Sequence, residues 1–240
     1  MAQSSNPDPQ PGSDRAPSNG TGLDGRIVVL GAYGLIGSAI VRRAAGEGRT
    51  VVAIGSDGAR LDALRRDVEG AVETLVHRIA VDGKGSLDLA APVAAALLPL
   101  GGSLEPRDAS DLGGGDLLDV ARGKLAVQAE AARLVLPHLA PDGVVVLFSG
   151  MLSRSPVRGL AAMSAVNAAL EAYARALAAE IAPRRALCVS PALVTRDGDP
   201  GSVSADAVAR TALGALALPL TGAVLDVVLD VVPLEPVRRS

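Results

Sequence analysis

The sequence predicts a three-layer α/β fold, a doubly wound Rossmann-type parallel sheet packed between helices in a single domain. Three observations carry this. Strand-like and helix-like segments alternate along the chain. The strand-like ones are continuous apolar runs, without the period of two that marks a half-exposed strand. The first run ends in a glycine-punctuated turn that opens a helix. The 240 residues suit one domain, and 49% hydrophobic against 20% charged residues supply a full core.

Residues 1–24 are Ser, Pro, Asn, Asp, Gly and Gln with almost nothing to bury, and are expected to be a disordered tail ahead of a domain over 25–240. They lack the basic start and apolar run of a signal peptide. IVVLG (Ile27 to Gly31) is β-branched, apolar and stopped by glycine, so it reads as a strand buried on both faces. A helix follows from Leu35 to about Glu47, closed by Gly48, and TVVAI (Thr50 to Ile54) is the second strand. An Arg-rich helix over Arg60 to Glu69 leads to a third strand, Thr74 to Val81. Residues 83–115 are proline- and glycine-rich; the alternation asks for a short strand at Val93 to Leu100, then a helix starting near Asp116. VVVLFS (Val144 to Ser149) is a strand after a proline-glycine turn, and Ala161 to Ile181 a long Ala-rich helix. Ala186 to Ser190 is a strand, Ala205 to Leu216 a helix, and Ala223 to Val232 the last strand.

Composition narrows the function classes. A net charge of −3 without a basic cluster, and 1% aromatic residues, leave no footprint for nucleic acid. No run of eighteen apolar residues is present to span a membrane, since the most apolar stretches carry Pro92 and Pro99, or Asp226 and Asp230. Cys188 is the only cysteine, which precludes an intrachain disulfide and points to a reducing, cytoplasmic setting. No His/Cys/Asp cluster has metal-ligand spacing.

The turn GAYGLIG (Gly31, Gly34, Gly37) carries the chemistry. Glycine is needed where the backbone turns sharply and where a pyrophosphate approaches, and the helix start beyond it offers free N–H groups and a positive dipole end. Strand, turn, helix and second strand arrive within thirty residues, the context that makes a glycine pattern informative. Dinucleotide binding is therefore expected, with Gly31, Tyr33, Gly34, Leu35, Ile36 and Gly37 at the turn. At the end of the second strand an acidic residue would grip a ribose 2′-hydroxyl and an arginine a 2′-phosphate. Here stand Gly55 and Ser56, with Asp57 and Arg60 beyond, which leaves NAD against NADP open.

Over residues 26–232 the chain resembles the short-chain dehydrogenase/reductases. GAYGLIG resembles their glycine turn in the spacing of extended and atypical members, and Val81-Asp82 the acidic residue that faces the adenine. RLVLPHL followed by PDGVVVLFSG resembles the helix and strand leading to the catalytic serine. AAMSAVNAALEAYARALAAEIAP resembles the active-site helix, LCVSPALVT the strand and loop over the nicotinamide, and TGAVLDV the last strand. The resemblance implies NAD(P)(H) as cofactor, hydride transfer on a small-molecule carbonyl or alcohol, cofactor contacts from Ser56, Asp82, Asn167, Pro191 and Val194, and a homodimer or homotetramer.

The departures fall where the chemistry should be. The family's Tyr-x-x-x-Lys pair aligns with Met163 and Asn167. A thioether has no proton to give, and an amide brings no charge to acidify a neighbour. Losing a positioned general acid costs about 10²- to 10⁴-fold in rate. Tyr173 lies about 15 Å along the same helix, too far to substitute. Ser149, with Gly150 making the register uncertain by one and Ser153 as a spare, is the candidate for the catalytic serine. Lys124, one of two lysines in a chain otherwise using arginine, aligns where the family has an asparagine that bends the preceding helix. An ammonium aimed into that gap would replace the missing charge or donate a proton. The family's Asn-Ala-Gly after the fourth strand is replaced by Pro99-Leu100-Gly101, and the polar segment Thr195 to Ser204 is short for a substrate cover. The expectation is an oxidoreductase with a rearranged site; the alternatives are a non-redox enzyme (isomerase, cyclase or dehydratase) and a non-catalytic dinucleotide-binding module.

Overall fold

A computed structural model describes residues 25–89, 92–101 and 106–228, so the tail over 1–24 and the end of the expected last strand lie outside the described residues. Seven parallel strands form one sheet: β1 (Arg26–Leu30), β2 (Val51–Gly55), β3 (Val72–Val76), β4 (Val93–Leu98), β5 (Leu139–Phe148), β6 (Arg185–Pro191) and β9 (Val224–Val227). Their order is β3-β2-β1-β4-β5-β6-β9, and two short strands, β7 (Val194–Thr195) and β8 (Val203–Ser204), pair separately. The order reverses at β1/β4, the crevice where ligands bind in open α/β sheets.

The apolar runs are continuous because both faces are covered. Ile27 and Val29 of β1 point to the layer holding α1 (Leu35–Gly46), α2 (Gly58–Arg66) and α6 (Ala205–Leu216). Val28 and Leu30 point to the opposite layer, which holds α4 (Val127–Val135) and α5 (Ala161–Glu180). Each face buries aliphatic side chains, worth roughly 1.5–3 kcal/mol apiece when fully enclosed. Among the described residues no helix is long and apolar enough to cross a membrane.

Two expectations shift. The third strand runs over Val72–Val76 rather than Thr74 to Val81, because its partner stops at Gly55; His77 N–H to Gly55 O (2.8 Å) is the last ladder bond. The fifth strand starts at Leu139, and the proline-glycine turn is a bulge within it: Val93 pairs Leu139, then Ala95 pairs Val144. The expected helix near Asp116 is α3 (Gly114–Ala121), whose first turn Asp116 caps by accepting Gly113 N–H at 2.9 Å. A π-helical turn, Arg122–Ala126, joins α3 to α4.

Candidate active site

The glycine turn is built as its residue types require. Gly31 has φ +80°, a left-handed conformation, and a Cβ on Gly37 would lie 2.1 Å from Gly31 O, so only glycine lets α1 pack against the turn. No side chain caps α1, and its first turn bond runs from Ser38 N–H to Gly34 O (2.9 Å). The N–H groups of Leu35, Ile36 and Gly37 thus remain open at the positive end of the helix dipole.

Two cavities flank this turn along the carboxyl ends of the strands. The smaller, about 300 Å³, is lined by Gly31, Tyr33, Gly34, Gly55, Ser56, His77, Arg78 and Ile79 among others. The larger, about 660 Å³, reaches from Ile36 to Lys124, Ser149, Gly150, Met163, Asn167, Pro191 and Val194. Both include Pro99, Leu100 and Gly101, so they form one groove with a shared wall.

In the smaller cavity the Tyr33 ring lies across Gly55, where a Cβ would stand 2.4 Å from its Cε1. Its hydroxyl hydrogen-bonds Ser56 Oγ (2.9 Å), and the Arg60 guanidinium sits 4.1 Å from the ring centroid. Asp57 turns to cap α2, accepting Arg60 N–H at 3.1 Å. Asp82 does not line the cavity. With the third strand ending at Val76, Asp82 falls in an exposed turn, its Oδ1 accepting Lys84 N–H at 3.0 Å, and His77, Arg78 and Ile79 take the wall instead. Leu35 also stays outside both cavities, its side chain exposed.

The larger cavity is apolar, with Met151, Leu152, Val157, Leu160, Met163 and Leu193 in its walls. Lys124 is the sole ionisable side chain among its described lining residues. It projects from the π-helical turn, an irregularity that recurs at functional sites. Its Nζ donates to Ser149 O at 2.9 Å, and burial pulls its pKa down from the ordinary value to about 8. Met163 and Asn167 face the cavity from adjacent turns of α5. Asn167 is 1% exposed, and its Oδ1 is a buried acceptor with no hydrogen-bond partner. A Cβ on Gly150 would lie 2.9 Å from Asn167 Nδ2, so the two positions share one small space.

Ser149 lines the larger cavity at the end of β5, with its hydroxyl held in a hydrogen-bond network. Its hydroxyl donates to Glu171 Oε1 (3.1 Å), which also accepts from Ser153 (2.7 Å) and Ser190 (3.3 Å). Arg154 completes the network, donating to Glu171 Oε2 at 2.6 Å, to Ser190 Oγ at 3.0 Å and to Asp226. Both serine candidates thus belong to a polar lock that ties the loop after β5 to α5, β6 and β9. Gly150, one residue on, lines the same cavity.

The sequence reading missed this lock and also Gln128. Gln128 is fully buried; its Nε2 donates to Leu100 O (2.8 Å) and Phe148 O (2.9 Å), and its Oε1 accepts Phe148 N–H (2.9 Å). It braces β4 against β5 one helical turn beyond Lys124. A polar residue in a helix that must pack on a sheet was the available signal. Tyr173 packs against the α4/α5 face of the core and lines neither cavity. Cys188 is buried, which pushes its thiol pKa up. Among the described residues no group of three His, Cys, Asp or Glu side chains is arranged to hold a metal ion.

No protein-family model matches the sequence, and no curated protein matches it. Solved structures do match in shape. An oxidoreductase of the short-chain dehydrogenase/reductase family from Burkholderia thailandensis has a TM-score of 0.71 at 22% identity, covering 84% of this chain and 90% of its own. The 3-ketoacyl-(acyl-carrier-protein) reductase from Brucella melitensis, complexed with NADH, has 0.70 at 20%, covering 85% and 96%. The MalC reductase/Diels-Alderase from Malbranchea aurantiaca has 0.71 at 18%, covering 85% and 94%. The chain therefore has the short-chain dehydrogenase/reductase fold.

Proposed function

We propose that the chain is an NADP(H)-dependent reductase of a small apolar carbonyl compound, with Lys124 as the proton donor. The observation that carries this is the Lys124 ammonium, alone among the described lining groups in its ability to release a proton into the cavity. The groove fits a nicotinamide dinucleotide on its own chemistry. The open N–H groups at the start of α1 would take the pyrophosphate, and Asn167, which lines the larger cavity, would hydrogen-bond a ribose hydroxyl. When bound, the cofactor supplies the hydride. Solved proteins of this fold include one complexed with NADH and one complexed with NADPH.

The chain's own residues do the rest. Pro191, Ala192 and Val194 wall one side of the larger cavity, and Met151, Leu152 and Leu160 exclude water around the substrate. Lys124, steadied on Ser149 O, gives its proton to the carbonyl oxygen as negative charge develops there. A pKa of about 8 suits a donor that must be charged near neutrality yet release its proton readily. Met163 contributes shape only. NADP(H) is preferred over NAD(H) because Asp57 is engaged as a helix cap, while Ser56 and Arg78 line the smaller cavity and Arg60 lies over Tyr33 beside it.

Titration with NADPH and NADH, read by nicotinamide fluorescence and thermal shift, tests the reading. Micromolar NADPH binding with weaker NADH binding is expected, followed by NADPH consumption on a carbonyl panel that Lys124→Ala abolishes. Absence of binding at millimolar concentration overturns it.

A second reading, non-redox chemistry in the same cavity, is favoured by the lack of a phenol or carboxylate among its described lining residues. One solved protein of this fold bears the name reductase/Diels-Alderase. Turnover without an absorbance change at the reduced-nicotinamide band would identify it.

A further inference from the structure

Lys124 has a second chemical capacity that proton donation does not use. Its bond to Ser149 O is made through an N–H, so the deprotonated amine keeps its lone pair free. No carboxylate stands among the described lining residues to hold it as an ammonium. The space beside it, about 660 Å³ and walled by Met151, Leu152, Val157, Leu160, Met163 and Leu193, is large enough for a carbon skeleton and offers little to a charged one. Among the described residues, the titratable groups facing the amine from the packed elements are engaged or neutral. Glu171 of α5 is taken by Arg154 and three serine hydroxyls, and the buried Cys188 thiol of β6 is held neutral.

We infer that Lys124 is also a nucleophilic amine, which condenses with apolar aldehydes or ketones in this cavity to form an imine. The amine lone pair attacks the carbonyl carbon, forming the C–N bond as the C=O π pair moves to oxygen. Oxygen takes up a proton and nitrogen loses one, giving a carbinolamine. Its C–O bond then breaks, water leaves, and a C=N bond remains, so that amine plus carbonyl yields imine plus water with no change of oxidation state. Asn167 lines the same cavity, and its amide can hydrogen-bond the carbinolamine hydroxyl. Once its nitrogen is protonated, the imine becomes an iminium that makes the adjacent carbon more acidic than the parent carbonyl does, which opens the cavity to isomerisation and carbon–carbon chemistry. The inference does not rest on the reductase reading, since no cofactor enters any step.

The protein carries its own control, because Lys84 is the only other lysine and is exposed. The whole protein is incubated at pH 8 with hexanal and cyanoborohydride, which reduces an imine to a stable secondary amine, and no nicotinamide is added. Peptide mass spectrometry then reads the label at each site. Half of a group titrating at about 8 is neutral at that pH, against less than about 1% of an ordinary lysine at about 10.4. Lys124 is expected to be labelled roughly tenfold or more faster than Lys84, with a rate rising through a midpoint near pH 8. Lys124→Arg should lose the cavity label while Lys84 still reacts. Glyoxylate, a charged aldehyde, should show no preference for Lys124. Label confined to Lys84 and the amino terminus, or equal rates at both lysines, overturns the inference. Equal preference for glyoxylate and hexanal overturns the apolar substrate class. Failure of NADPH to bind leaves all these outcomes untouched and tells against the reductase reading alone.

Discussion

Replacing Lys124 by methionine isolates the cost of the buried ammonium. The two side chains are similar in length, and methionine suits an apolar wall. The folded pKa is about 8 against 10.5 for the free group. Below pH 8 the ammonium is present in both states and burdens the folded one. Between 8 and 10.5 the unfolded chain binds more protons, so stability rises with pH, and above 10.5 the burden is gone. The 2.5-unit depression corresponds to about 3 kcal/mol at pH 7, and less than about 1 kcal/mol is left at pH 10. Losing the bond to Ser149 O offsets about 1 kcal/mol of this. Lys124→Met should therefore stabilise the protein by about 2 kcal/mol at pH 7, or about 4–8 °C in Tm for a chain of this size. Near pH 10 the two proteins should match. Urea denaturation of both proteins at the two pH values measures it. An equal difference at both, or none at pH 7, would mean that Nζ is hydrated. That would remove the basis for treating Lys124 as either a tuned acid or a nucleophile.

Further outcomes follow from the same geometry. The NADPH-dependent rate should fall about tenfold per pH unit above about 8, as Lys124 loses the proton it donates; a rate that stays flat to pH 10 would exclude it as the acid. Gly37→Ala forces a Cβ into Gly31 O and should cost about 2 kcal/mol or more and abolish NADPH-induced thermal stabilisation, both read by thermal shift. Glu171→Ala strips Arg154 and three serines of their acceptor and should lower urea stability by about 2–3 kcal/mol, with Glu171→Gln milder. In a Lys124→Ala background, Met163→Tyr with Asn167→Lys puts a phenol and an ammonium one turn apart in the cavity wall. NADPH consumption should recover by at least about tenfold if the remaining walls still hold a productive carbonyl.

How legible the molecule was depends on the range of the forces involved. The sheet and its helices were written locally. Runs such as Ile27–Leu30 and Val144–Leu147 are apolar at every position, and only a strand covered on both faces tolerates that. Gly31 and Gly37 announced the turn because backbone sterics admit no other residue there. Met163, Asn167 and Lys124 were placed by the resemblance to the short-chain dehydrogenase/reductases, and all three line the larger cavity.

Direction and partnership were decided only by the tertiary structure. Ser149 and Gly150 both line the cavity, so what the sequence left open is where the Ser149 hydroxyl goes. It was settled by Glu171, whose carboxylate, buried 22 residues away in sequence, needs the Ser149 hydroxyl. Asp57 caps α2 because the helix starts beside it, and Asp82 lies outside the cavity lining because β3 ends with its partner at Gly55. The lowered pKa of Lys124 belongs to no local pattern. Desolvation is a sum over everything packed around the amine, from Gly101 beyond β4 to Ser149 after β5, and those segments meet only once the chain has folded.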